Sequence, residues 1–180
     1  MKKYADDYEI VIVEDEKGNE KKTTVYRGAY YEIDVDQQRL DQLRGLSRFL
    51  LLGTALLHVG AGFVANPGMY QFYISLPYVL SFLPLYFLAE GMLRIPKEKR
   101  RFRSDEVGLS FGRMQKASPF LFFLLAAGVV GALIFIIGFA ADPFPKEWLY
   151  LLLEAGALLC VFMILQVQKR IQVSLITQDE

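Results

Sequence analysis

Polar and apolar positions alternate near the start of this chain and then segregate into long blocks. Residues 8–13, Tyr-Glu-Ile-Val-Ile-Val, are rich in β-branched types, and residues 23–26, Thr-Thr-Val-Tyr, resume that character. The charged stretch 14–20 between them contains Gly18 and Asn19, and the pattern predicts a β-hairpin. Residues 29–33 offer a further short strand. Joined to the hairpin it gives three strands able to cover one apolar face, whereas an isolated two-stranded hairpin is marginal in water. Asp34 and Asp36 both suit a helix N-cap. Beyond them Leu40, Leu43 and Leu46 recur at helical spacing among Arg39, Asp41, Gln42 and Arg44, which predicts a helix over residues 37–48 that runs along a membrane interface.

The blocks that follow set the class. A helix needs about 20 apolar residues to cross a hydrocarbon core, and residues 46–65, 72–93, 119–141 and 148–167 qualify. The chain is therefore expected to be an all-α integral membrane protein with four transmembrane helices in two tandem hairpins and a small N-terminal cytoplasmic β-hairpin module. The expected divisions are 1–45 for the module and interfacial helix, 46–93 for the first transmembrane hairpin, 94–117 for a basic cytoplasmic loop, 118–168 for the second hairpin and 169–180 for a cytoplasmic tail. The first span begins behind a charged segment and lacks a small-residue cleavage site, so it is expected to be retained rather than removed as a signal peptide.

The two hairpins resemble each other. An ungapped overlay of residues 57–95 on 133–171 makes nine of 39 positions identical, among them Gly62, Phe63, Ala65 and Pro67 in the connecting loop and Arg94 and Ile95 at the exit. This is the mark of a duplicated two-helix unit. Any apolar hairpin with a turn-forming loop on one side and a basic residue on the other yields part of the same resemblance.

Charge adds direction. The chain is 53% hydrophobic with a formal net charge of zero, but its charges are unevenly placed. The segment between spans two and three carries Arg94, Lys97, Lys99, Arg100, Arg101, Arg103, Arg113 and Lys116, while the loop 66–71 has no basic residue and the loop 142–147 has only Lys146. The positive-inside rule then places both termini and the middle loop in the cytoplasm, in a membrane of bacterial plasma-membrane type. Arg100, Arg101 and Arg103 are candidate contacts for the membrane surface or a partner. The expected partners are the lipid bilayer and either further copies of the chain or a larger membrane protein, with no nucleic acid.

Chemical motifs are sparse. Cys160 is the single cysteine, which excludes an intramolecular disulfide or a cysteine metal cluster. One histidine cannot supply a His-Glu-x-x-His pair, and neither a phosphate-cradling glycine loop nor Gly-x-Ser-x-Gly is present. No catalytic, cofactor-binding or metal residues are assigned, no cofactor is expected, and the chain is expected not to be an enzyme. Charged groups inside apolar spans are costly and usually paired or functional. Glu154, about two turns into span four and followed by Ala155-Gly156-Ala157, is the sharpest such group. His58, near the corresponding level of span one, is its candidate partner, and histidine can relay protons near neutral pH. Glu90 is expected to pair with Arg94, one helical turn away.

Pro77 and Pro84 are expected to kink or open span two. Gly128 and Ala132 form a small-xxx-small pair that predicts tight packing by span three, and Tyr70, Phe72, Tyr73, Tyr78, Phe144 and Trp148 suit an interfacial belt. Two functions fit. The first is a non-catalytic accessory or regulatory subunit of a membrane complex, docked through its cytoplasmic module. The alternative is a small homo-oligomeric transporter or channel whose polar layer is built around Glu154 and His58.

Overall fold

Each apolar block becomes a long helix. The structure is a computed structural model that describes residues 4–14, 20–95, 101–139, 145–171 and 173–176. The helices are α1 (Gln37–Gly62), α2 (Phe72–Leu93), α4 (Phe111–Gly138) and α5 (Pro145–Lys169), with a six-residue helix α3 (Ser104–Leu109) before α4. Four helices are long and apolar enough to cross a membrane. Large apolar side chains such as Phe49, Leu56, Val79, Phe123, Ile137 and Leu152 point outward from them. That surface suits hydrocarbon and points to a membrane location.

Helix boundaries differ from the sequence pattern where amphipathic turns precede apolar ones. The interfacial helix and the first span are one helix, α1, with Leu40, Leu43, Leu50, Thr54, His58 and Ala61 on its buried face. Asp36 occupies the N-cap position without a side-chain capping bond. Helix α4 starts at Phe111 rather than at Pro119, which lies exposed inside it. Helix α2 has the expected ends and is a continuous helix through Pro77 and Pro84.

The helices pair across the two hairpins. Helix α1 packs along α5, α5 against α4, and α4 against α2, while α1 and α2 touch little although a short connection joins them. Backbone approach explains the α2–α4 seam. A Cβ on Gly91 would lie 2.9 Å from Met114 Cγ and 3.0 Å from the Ser110 carbonyl oxygen, and one on Gly131 would lie 3.1 Å from the Tyr73 carbonyl oxygen. The close approach expected at Gly128 is found at Gly131 instead: Gly128 is buried, yet a Cβ there would meet nothing within 4 Å.

One end of the bundle carries a cap. Strands β1 (Tyr8–Glu14) and β2 (Glu20–Tyr26) form the expected antiparallel hairpin, in register from Tyr8↔Tyr26 to Glu14↔Glu20. The expected turn at Gly18 and Asn19 lies outside the described residues. Strand β3 (Tyr30–Ile33) forms but does not join that hairpin. It is the centre of a second sheet, flanked by β4 (Arg101–Arg103) and β5 (Val173–Ile176), both antiparallel to it. The reason is burial: Ile33 and Phe102 on this sheet are almost fully buried against the bundle, with the Phe102 and Phe111 rings 5.9 Å apart. The N-terminal module, the middle segment and the C-terminal tail thus meet in one sheet.

Two apolar cores fill the interior. The larger, at the cap end, runs from Ile33 and Phe102 through Leu50, Leu88, Leu121 and Leu125 to Ala157, Val161 and Ile164. The smaller, at the end of the helix-connecting loops, gathers Ala61, Ile74, Ala132, Ile136, Tyr150 and Leu151. A polar layer separates them.

Candidate functional site

Three helices each supply one side chain to this layer. On α1 the buried stripe Leu50, Thr54, His58, Ala61 carries His58 inward. On α2 the stripe Ile74, Ser81, Leu85, Leu88 carries Ser81. On α5 the run Tyr150, Glu154, Ala157, Val161 carries Glu154. His58 and Ser81 are 0% exposed and Glu154 is 1% exposed. His58 Nδ1 lies 2.9 Å from Glu154 Oε1 and 3.2 Å from Oε2, and its Nε2 lies 2.6 Å from Ser81 Oγ. The structure therefore brings the two intramembrane candidates of the sequence together and adds a third residue, Ser81.

Serine, histidine and carboxylate in this order resemble a nucleophilic triad, but the hydrogen bonds run the other way. Ser81 Oγ is also 2.6 Å from the carbonyl oxygen of Tyr78. A carbonyl oxygen only accepts, so the single hydroxyl hydrogen of Ser81 lies on that bond, and His58 Nε2–H donates to Ser81 Oγ. A nucleophilic serine needs the reverse, with its hydrogen directed to an unprotonated Nε2. Ser81 also sits within a regular helix, where neighbouring amide groups are committed to helical bonds, and Pro77 and Pro84 remove donors rather than add them. An oxyanion has no ready amide pair here.

The Glu154 carboxyl, almost fully buried, thus has in the imidazole of His58 the polar partner that a low-dielectric interior demands.

Aromatic groups close the layer. The His58 ring lies 4.5 Å from that of Tyr78 and 4.7 Å from that of Phe82, and the Tyr78 hydroxyl donates to the His58 carbonyl at 3.2 Å. Gly62 admits this tyrosine, because a Cβ at position 62 would collide with the Tyr78 hydroxyl. These contacts and the His58–Ser81 bond tie together two helices that otherwise barely meet.

Towards the loop end the polar character continues along α5. Glu147, Tyr150 and Glu154 follow one another at intervals of three and four residues, all buried. Glu147 Oε2 and the Tyr150 hydroxyl have no hydrogen-bond partner among the described residues. Towards the cap end the layer is followed directly by the larger apolar core.

The other sequence candidates lie elsewhere. Arg101 and Arg103 are exposed on β4, Arg103 standing 5.4 Å over the Tyr26 ring, and Arg100 lies outside the described residues. Glu90 binds Arg94 at 2.6 Å and also pairs with Arg113. Sequence reasoning missed Ser81, Tyr78 and Arg113 as partners. A hydroxyl set between two prolines in an apolar span was the available signal for Ser81. The layer offers one imidazole and one carboxyl group, and no group of three or more His, Cys, Asp or Glu side chains able to hold a metal occurs among the described residues.

At the root of the hairpin, Tyr8 donates to Asp105 Oδ2 at 2.9 Å, and that bond holds its phenol above the ordinary tyrosine pKa. Burial pushes the Tyr26 phenol up as well, while its oxygen accepts from the Ser104 N–H at 2.8 Å.

No known protein family model matches this chain, and neither a curated protein nor a solved structure matches it.

Proposed function

We propose that the four helices cross a bilayer with the cap end in the cytoplasm, and that the chain is a non-catalytic accessory subunit of a membrane complex. The β1–β2 hairpin is its docking arm. The observation that carries this reading is the state of that hairpin: among the described residues its strands pair only with each other, and Ile10 and Ile12 are 69% and 57% exposed, with Val13 and Val25 exposed as well. A two-stranded ribbon with apolar side chains in water is poorly stabilised by itself. A partner that covers it supplies the missing burial. The intramembrane layer then acts as a clasp that holds α1, α2 and α5 in register beneath the arm.

Affinity capture of the tagged full chain, crosslinked in its native membrane, tests the proposal. One foreign membrane protein in near-stoichiometric yield is expected, and replacing Ile10 and Ile12 by Thr releases it. A self-only oligomer, or capture indifferent to that replacement, contradicts it.

A second reading, a small homo-oligomeric transporter or channel, is favoured by the file of Glu147, Tyr150 and Glu154, whose two partnerless atoms lead from the loop end towards His58. It ranks second because the larger apolar core follows on the other side, where the buried Ser47, Thr54 and Ser118 hydroxyls bond carbonyls of their own helices. Flux in proteoliposomes decides it: Glu154→Gln abolishes flux with assembly intact if the file conducts, and unchanged flux removes the reading.

A further inference from the structure

We infer that the groove between α2 and α4 near the cap end is a binding site for an anionic phospholipid. The groove has a volume of about 410 Å³, within the usual span of small-ligand sites, about 300–1,000 Å³. Its walls divide by chemistry along the helix axes. Leu83, Pro84 and Phe87 on α2 face Ala117 and Phe120 on α4, while Arg113 and Lys116 stand at the end nearer the cap. An acyl chain matches the first part and a phosphodiester matches the second.

Charge selects the anion. Arg94 and Arg113 share the single carboxylate of Glu90, and Lys116 forms no ion pair among the described residues. The four groups together leave two positive charges, both cations of the groove lying on one face of α4 at i and i+3. Arg113 is also fixed in place: its guanidinium stands 5.9 Å over the Phe87 ring and pairs with Glu90. A guanidinium so held presents its remaining donors without further ordering, which suits a phosphate better than a freely moving side chain does.

The apolar end argues against a soluble occupant. Leu83 and Phe120 are half exposed, and on a membrane helix such side chains meet acyl chains already. The site therefore differs from ordinary annular contact by its two cations, Arg113 and Lys116, at the cap end of the apolar walls. This inference rests on the helices lying in a bilayer, and the experiment separates failure of that premise from failure of the site.

The full chain is placed in nanodiscs of phosphatidylcholine and phosphatidylglycerol in equal amounts, and the lipids it retains on release are weighed by native mass spectrometry. One phosphatidylglycerol per chain is expected, enriched about tenfold over phosphatidylcholine. Lys116→Gln, an exposed position whose loss leaves the fold intact, lowers the enrichment about fivefold, as one surface cation should. Lys116→Arg keeps it. Equal retention of the two lipids, or enrichment unchanged by Lys116→Gln, overturns the site. Displacement by inorganic phosphate alone shows that a free anion is the ligand and overturns the lipid assignment. A chain that does not enter nanodiscs overturns the membrane reading with it.

Discussion

The two halves of the bundle hold their helices together by different means. The cap-end half is closed mainly by leucine, valine and isoleucine from all four helices, and its buried Ser47, Ser110 and Ser118 hydroxyls bond carbonyls of the preceding helical turn, whereas the loop-end half joins helices through His58, Ser81 and Glu154, with Glu147, Tyr150 and Asn66 also buried. In the first half, position is set by shape and many partners are interchangeable in kind. In the second, His58 meets Glu154 through one ring nitrogen and Ser81 through the other, so hydrogen bonds set position. For helices that lie in a bilayer, as proposed for these, the second device has particular value, because lipid offers no hydrophobic driving force for association, while an unpaired polar group in hydrocarbon is costly. The contrast is sharpest between α1 and α2, which meet mainly through His58, Ser81, Tyr78 and Phe82.

The largest effect is expected from His58→Ala, which leaves Glu154 buried and unpaired, and Ser81 with only its bond to the Tyr78 carbonyl, at a cost of about 3–5 kcal/mol. Reversible unfolding in mixed micelles, with a disulfide-trapping pair across α1 and α2, should show lower stability and a loosened α1–α2 seam. Leu121→Ala, in the other half, is expected to cost about 2–4 kcal/mol through the cavity it leaves. The same trapping rate should then be unchanged. A loosened seam in Leu121→Ala would erase the distinction between the halves.

Gly62→Ala comes next, with about 1–3 kcal/mol expected from the collision with Tyr78. Tyr78→Phe removes the offending hydroxyl, so the double variant should be more stable than Gly62→Ala alone. The smallest effect concerns the hairpin root. Tyr8 and Tyr26 have pKa values raised in the folded chain, so their contribution is present below the ordinary tyrosine pKa, about 10, and is lost as pH rises through the folded values above it. Alkaline titration followed by tyrosinate absorbance and amide exchange should detach the hairpin before the helices respond.

Much of this was legible in the sequence, for identifiable reasons. Helix α2 could be bounded because Gln71 and Arg94 end an apolar run at both sides. The starts of α1 and α4 were hidden because amphipathic turns continue a helix past the apolar block, and Leu40 and Met114 in those turns are core residues. Strand β3 was legible as a strand but not in its pairing, since its partners lie in the middle segment and the C-terminal tail and no local pattern names them. Glu154 and His58 stood out because ionisable groups are rare in apolar spans. Ser81 did not, because a helix can satisfy a lone hydroxyl with its own carbonyls, as Thr54 does with Leu50. The α2–α4 seam depended on which glycine faced a neighbour, and spacing alone favoured Gly128 over Gly131.

The clasp itself is tested most directly by a double-mutant cycle on His58→Ala and Ser81→Ala, with unfolding free energies measured in one micelle composition. If the two side chains join α1 to α2 as described, the cycle returns a coupling of about 1–2 kcal/mol. Losses that add within about 0.3–0.5 kcal/mol would contradict it.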